Sequence, residues 1–240
     1  MAGLIGGNGL LGTGVQYPTT TNSERYYVGT GIAPNCTLTA QRLFTEGNYA
    51  WSSETYPRWE GFFNDSHTLG VNVCACSFGL TDGVYSLRSS AFDHAIRDCS
   101  LTTPGDQPLS VTCSVGNGGA SKRCTEPSTA KNLMAVGGTE TCYPDAQSHS
   151  GGSAANSDNP DQLYTGSQSG TSDNRLKPDC VAPAQTTLST ASQFDSSSYI
   201  DDRCYYDGAA DYRYYWNVGT SFSSPIGAGS LAVVYQYYQA

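Results

Sequence analysis

Gly219-Thr220-Ser221-Phe222-Ser223-Ser224-Pro225 opens the last long apolar stretch of the chain. A glycine ahead of Ser221 permits a tight turn, and a helix that follows points free backbone N–H groups at whatever lies above it. Pro225 falls within the first turn or so, where a missing N–H matters least. A serine there has its hydroxyl beside a positive helix end, which suits a developing oxyanion. Taken alone, the same residues also make an ordinary N-cap, because Ser and Thr are common caps. Residues 221–238 read as a buried helix, since Ile226, Ala228, Leu231, Ala232, Val233 and Val234 leave it no broad polar face.

Upstream, short apolar runs alternate with helical patterns. Residues 36–44, 71–78, 109–115 and 133–136 read as strands buried on both faces. Residues 89–99 read as a helix with Ala91, Phe92, Ala95 and Ile96 on one stripe. This alternation predicts an α/β domain with a mostly parallel sheet. Residues 147–174 are rich in Ser, Gly, Asn and Asp and predict a surface loop; residues 199–215, rich in Tyr and Asp, predict another.

Gly219 to Pro225 resembles the nucleophile motif of the subtilisin family of serine proteases, the subtilases. Other segments resemble that family in the same order along the chain. Gly31-Ile32-Ala33-Pro34 leads into a strand as the family's G-V-A-P does. Ser77-Phe78-Gly79 stands where the family has S-W-G or S-L-G, and Ser114-Val115-Gly116-Asn117-Gly118 is similar to A-A-G-N-x-G. Pro127 to Gly137 is similar to P-A-x-x-x-x-V-I-x-V-G. Asp173-Asn174-Arg175-Leu176-Lys177-Pro178-Asp179 closely matches D-G-R-x-K-P-D.

The resemblance implies a subtilisin-like three-layer α/β domain and roles for particular residues. Ser221 would be the nucleophile, and Asn117 would donate its side-chain amide to the oxyanion, together with the N–H of Ser221. Ser77, Phe78 and Gly79 would form one wall of the pocket beside the cleaved bond, and Ser114, Val115 and Gly116 the other. Both walls would pair with an extended polypeptide substrate. The family's remaining catalytic motifs, D-[ST]-G and H-G-T, do not occur in these 240 residues. Met1 to Gly9 is similar to the segment that follows the family's histidine, so residues 1–240 are expected to be a partial peptidase domain lacking the N-terminal strands, the Asp-bearing one included. His67, His94 and His149 lie in contexts that do not aim them at Ser221. Without a base a serine hydroxyl is a weak nucleophile, so residues 1–240 alone are expected to be nearly inert.

Bulk properties narrow the remaining classes. A net charge of −9 argues against nucleic acid and anionic membranes as partners, and no apolar run is long enough to span a bilayer. The expected partner is a polypeptide substrate. No cofactor is expected; Asp201, Asp202 and Asp207 offer oxygens for calcium, but their spacing makes no site. Cys74, Cys76, Cys113 and Cys180 fall in apolar runs as buried thiols, whereas Cys99, Cys124, Cys142 and Cys204 fall in loop-like connections suited to disulfides; Cys36 fits either group. With sequons at Asn35 and Asn64, these lean toward a secretory or extracellular setting, although the N-terminus carries no signal-peptide pattern. Two alternatives compete with the protease: a non-catalytic subtilase homologue that binds extended peptides, and a disulfide-bonded surface protein.

Overall fold

The computed structural model describes residues 1–8, 29–44, 58–80, 83–141, 158–190, 203–206 and 209–239. Its elements are α1 (Ala2–Gly6), α2 (Trp59–Thr68), β1 (Val73–Cys76), α3 (Leu87–Arg97), β2 (Ser110–Ser114), β3 (Met134–Thr139), β4 (Cys180–Pro183), β5 (Thr187–Thr190), β6 (Arg203–Tyr206), β7 (Ala209–Asn217) and α4 (Thr220–Gln239). Strands β1 to β4 form a parallel sheet in that order. A second, antiparallel sheet has the order β5-β7-β6.

Alternation along β2 builds the three layers. Leu109, Val111, Cys113 and Val115 turn to one face, where they join Phe62 and Phe63 of α2 and Phe92 and Ala95 of α3 in a single core cluster. Thr112 turns to the other face, where its hydroxyl lies 3.1 Å from Ser224 Oγ in α4. Helices α2 and α3 therefore cover one side of the sheet and α4 the opposite side. Burial on both faces explains the near-continuous apolar strands. Aromatic edges tighten the first layer: Phe63 and Phe92 meet edge-on at 4.8 Å, and Trp59 lies against Phe92 at 5.3 Å.

Four expectations require correction. Residues 36–43 carry no strand, because among the described residues no strand lies beside them to complete a ladder. Instead a cavity of about 840 Å³ is lined on one side by residues 36–41 and on another by residues 71–76, with Ala228 and Ala232 of α4 also facing it. Asn72 O accepts from Ser110 N at 3.1 Å, so the alternation of a parallel ladder turns the N–H and C=O groups of Val73 and Ala75 away from β2, toward this cavity. Residues 203–206 and 209–217 form two paired strands, not a loop, since Tyr and Trp favour extended backbone more than the interspersed Asp opposes it. Helix α4 is buried only through Gly229; Val233, Val234 and Tyr235 are exposed, and Tyr237 and Tyr238 more so. The second half of the helix runs past the sheet it packs on.

The cysteines give the fourth correction. Cys99 and Cys124 are free thiols buried in the core, like Cys74, Cys76 and Cys113, while Cys36 and Cys180 are free and half-buried. Burial pushes the Cys124 thiol up to about 11, so it packs as a neutral side chain. Cys142, His149 and the candidate acids Asp201, Asp202 and Asp207 lie outside the described residues. Of the expected surface loop, residues 158–174 are described and hold no regular element, yet Ser167, Gln168 and Thr171 turn inward and are buried. Among the described residues no helix is long and apolar enough to cross a membrane.

Truncating the fully buried Phe92 removes the ring that ties α3 to Trp59 and Phe63 of α2. Phe92→Ala should lower unfolding stability by about 3–5 kcal/mol, read as a shift of the urea midpoint in circular dichroism.

Candidate active site

Three chain ends converge at the C-terminal edge of the parallel sheet. β1 runs into Ser77-Phe78-Gly79, β2 into Val115-Gly116-Asn117, and the turn at Gly219 leads into α4. Helix α4 is anchored there by hydroxyls, its own and that of Thr112 in β2. Ser223 Oγ donates to the carbonyls of Ala182 and Pro183 at 3.1 and 3.2 Å, and Thr112 Oγ1 donates to Ser224 O at 3.1 Å. Gly219 N–H donates to Ala184 O at 2.9 Å.

Pro225 is the sixth residue of α4, deeper than the first-turn position expected for it. It has no N–H to give the carbonyl of Ser221, four residues earlier. Ser77 Oγ fills that place, donating to Ser221 O at 2.9 Å. One wall residue is thereby tied to the backbone of the candidate nucleophile. Ser221 itself is half-buried, and its hydroxyl has no hydrogen-bond partner among the described residues.

Asn117 is held beside it. Its Oδ1 accepts from Thr220 N at 2.8 Å and from Thr220 Oγ1 at 3.0 Å, which leaves the amide Nδ2 uncommitted among the described residues. Thr220 Oγ1 in turn accepts from Gly116 N at 3.2 Å. Gly219 adopts φ +137°, and a methyl group added to it would lie 3.2 Å from Asn117 Nδ2. The positive φ favours glycine, and a side chain there would also crowd the amide of Asn117. The turn that presents Asn117 is braced from below by the buried Gln168, whose Oε1 accepts from Gly118 N at 3.0 Å and whose amide donates to Arg123 O.

All eight residues singled out from the sequence thus cluster around this edge, and Ser221 and Asn117 are neighbours through Thr220. Sequence reasoning missed the parts that hold them. Thr220 stood out only as a possible cap, and Gln168 sits in a polar stretch with no signal of burial. His67 and His94 belong to α2 and α3, across the sheet from α4. His67 Nε2 lies 3.4 Å from Thr103 Oγ1 and faces away from Ser221. No described histidine serves the serine, and among the described residues no group of three or more His, Cys, Asp or Glu is placed to hold a metal ion.

Removing the Ser77 hydroxyl leaves the Ser221 carbonyl without a donor. Ser77→Ala should cost about 1–3 kcal/mol of stability, and Ser77→Thr, which keeps the hydroxyl, should cost less; thermal unfolding of both variants checks this.

The subtilase family model matches residues 1–240. Among solved structures, an S41 psychrophilic protease is similar at 19% identity with a TM-score of 0.53, covering 88% of this chain and 58% of its own. The PatG macrocyclase, solved in complex with a peptide, is similar at 16% identity and TM-score 0.50, covering 85% of this chain and 47% of its own. No curated protein matches in sequence. The chain therefore spans about half the length of these structural relatives, and at such identities they speak to the fold. With the family model matching throughout and the α/β fold agreeing, this chain belongs to the subtilase family.

Proposed function

We propose that this chain supplies the nucleophile and oxyanion-binding half of a serine endopeptidase. The observation that carries the proposal is the contact of Asn117 with Thr220, which sets beside the serine an amide that, like the serine hydroxyl, has no partner among the described residues. In the proposed reaction Ser221 Oγ attacks the scissile carbonyl and loses its proton to a base. The carbonyl oxygen becomes an oxyanion that accepts from Asn117 Nδ2 and from the Ser221 N–H at the helix start. Collapse breaks the C–N bond, the amine leaves with the proton carried by the base, and the acyl group stays on Ser221 until water removes it. No cofactor takes part. An extended polypeptide substrate would lie between the 77–79 and 114–116 backbones and add a strand to them.

The base and the carboxylate that orients it are assigned to polypeptide outside residues 1–240. Two observations support this: the described histidines sit across the sheet from Ser221, and the cavity beside β1 has the backbone of Val73 and Ala75 turned toward it. A strand bearing the aspartate would fill that cavity and complete the sheet. A secretory or extracellular setting is proposed with it, supported by the exposed Asn35 of one sequon.

A fluorophosphonate probe tests the assignment. The longer protein, made with the coding sequence ahead of Met1, should label at Ser221, and the Ser221→Ala variant should not. Residues 1–240 alone should label slower by orders of magnitude. Asn117→Ala in the longer protein should lower kcat about 10²–10³-fold, the size established for this kind of donor in subtilisin. Binding of extended peptides with no labelling of the longer protein would favour the peptide-binding module instead.

A further inference from the structure

The two walls differ from an open slot at one point. Gly79 and Gly116, one on each wall, both lie against the same side chain. A methyl group added to Gly79 would overlap Thr125 Oγ1 and lie 2.7 Å from Thr125 Cβ; one added to Gly116 would lie 2.8 Å from Thr125 Cγ2. Both distances are shorter than any ordinary carbon contact. A single threonine therefore bridges the walls; Gly79 leaves room for it on one side, and Gly116, at φ +104°, leaves room both for it and for Gln168 Oε1, which a methyl group there would overlap first. Thr125 was not among the residues the sequence pointed to.

The bridge is held in place from both sides. Thr125 N donates to Val115 O at 2.9 Å, and its hydroxyl reaches the same carbonyl at 3.3 Å. The hydroxyl lies toward Gly79 and the methyl toward Gly116, so both branches of the side chain occupy the space between the walls. The preceding residue, Cys124, is fully buried and donates its N–H to Gly170 O at 2.9 Å. The following residue, Glu126, is buried and paired with Arg88 at 2.7 Å, and its carbonyl accepts from Leu80 N at 2.9 Å. Removing either partner of such a buried pair is costly, so the segment has little freedom to swing aside. The large side chain of the wall itself does not enter the space: Phe78 stacks on Trp59 at 5.6 Å and meets Phe44 edge-on at 5.4 Å.

We propose that Thr125 closes the pocket beside the cleaved bond, so that the substrate residue on the acyl side must be small: glycine, alanine or serine, not an aromatic or long aliphatic residue. The inference rests on the endopeptidase assignment above and names its substrate class. A phenyl ring entering between Gly79 and Gly116 would have to displace a side chain fixed by its neighbours, and overpacking of that kind is unfavourable.

The test uses the longer protein and three probes. A fluorophosphonate has no side chain at this position and reports on the nucleophile alone. Two peptidyl diphenyl phosphonates, identical except for alanine or phenylalanine next to the phosphorus, report on the pocket. The alanine probe should label Ser221 faster than the phenylalanine probe, by roughly 10–200-fold. Thr125→Gly should collapse or reverse that ratio, and Thr125→Ser, which removes only the methyl, should lower it partway. Because the readout is a ratio of two probes in one variant, a general loss of activity cancels, and Thr125→Ser carries the test if the glycine variant fails to fold. A phenylalanine probe that reacts as fast as the alanine probe in the unmodified protein would overturn the inference while leaving the endopeptidase intact. A ratio unchanged in both variants would do the same. No reaction with the fluorophosphonate would overturn the endopeptidase assignment, and this inference with it.

Discussion

A missing hydrogen bond organises this molecule. Pro225 deprives the carbonyl of Ser221 of its helical partner, and the hydroxyl of Ser77 replaces it from the end of β1. That bond joins a wall of the groove to the residue that would react with substrate. Thr220, one residue earlier, does the same for the second wall through Gly116 and Asn117. The helix start is thus tied to both strands flanking the cleft, and each tie uses a group that helix geometry leaves over. The site's geometry is inherited from the incompleteness of a helix terminus.

The layers follow from simpler rules. β2 is buried on both sides because α2 and α3 cover one face and α4 the other: its apolar side chains face α2 and α3, and Thr112 faces α4. The buried hydroxyls of Thr112, Ser223 and Ser224 look out of place in an apolar layer, yet each finds a carbonyl or a hydroxyl, which removes the penalty of burying it.

The fold and the chemistry were legible to different depths. Strands β1, β2 and β3 and helix α3 were visible as apolar runs and a stripe, and the ends moved by only a few residues. Ser221 and Asn117 were visible because glycines and small residues flank them in patterns that resemble a family. What escaped were features set by contacts between distant parts of the chain. Gln168 and Thr125 lie in polar segments whose burial depends on what folds over them. The pairing of residues 203–206 with 209–217 was hidden by aspartates that read as loop. The absence of a strand at 36–43 has the opposite cause: the local residues favour extension, but a strand exists only where a neighbour accepts its hydrogen bonds.

Among the described residues no strand pairs with the outer edge of β1, and that has a consequence for the molecule in solution. That edge's outward-turned donors and acceptors, set in a cleft and flanked by the exposed tyrosines and valines of the α4 tail, are the ingredients of intermolecular β-pairing. Produced without a segment to cap that edge, residues 1–240 would gather into oligomers as concentration rises, and colloidal behaviour would then report whether the sheet has been closed.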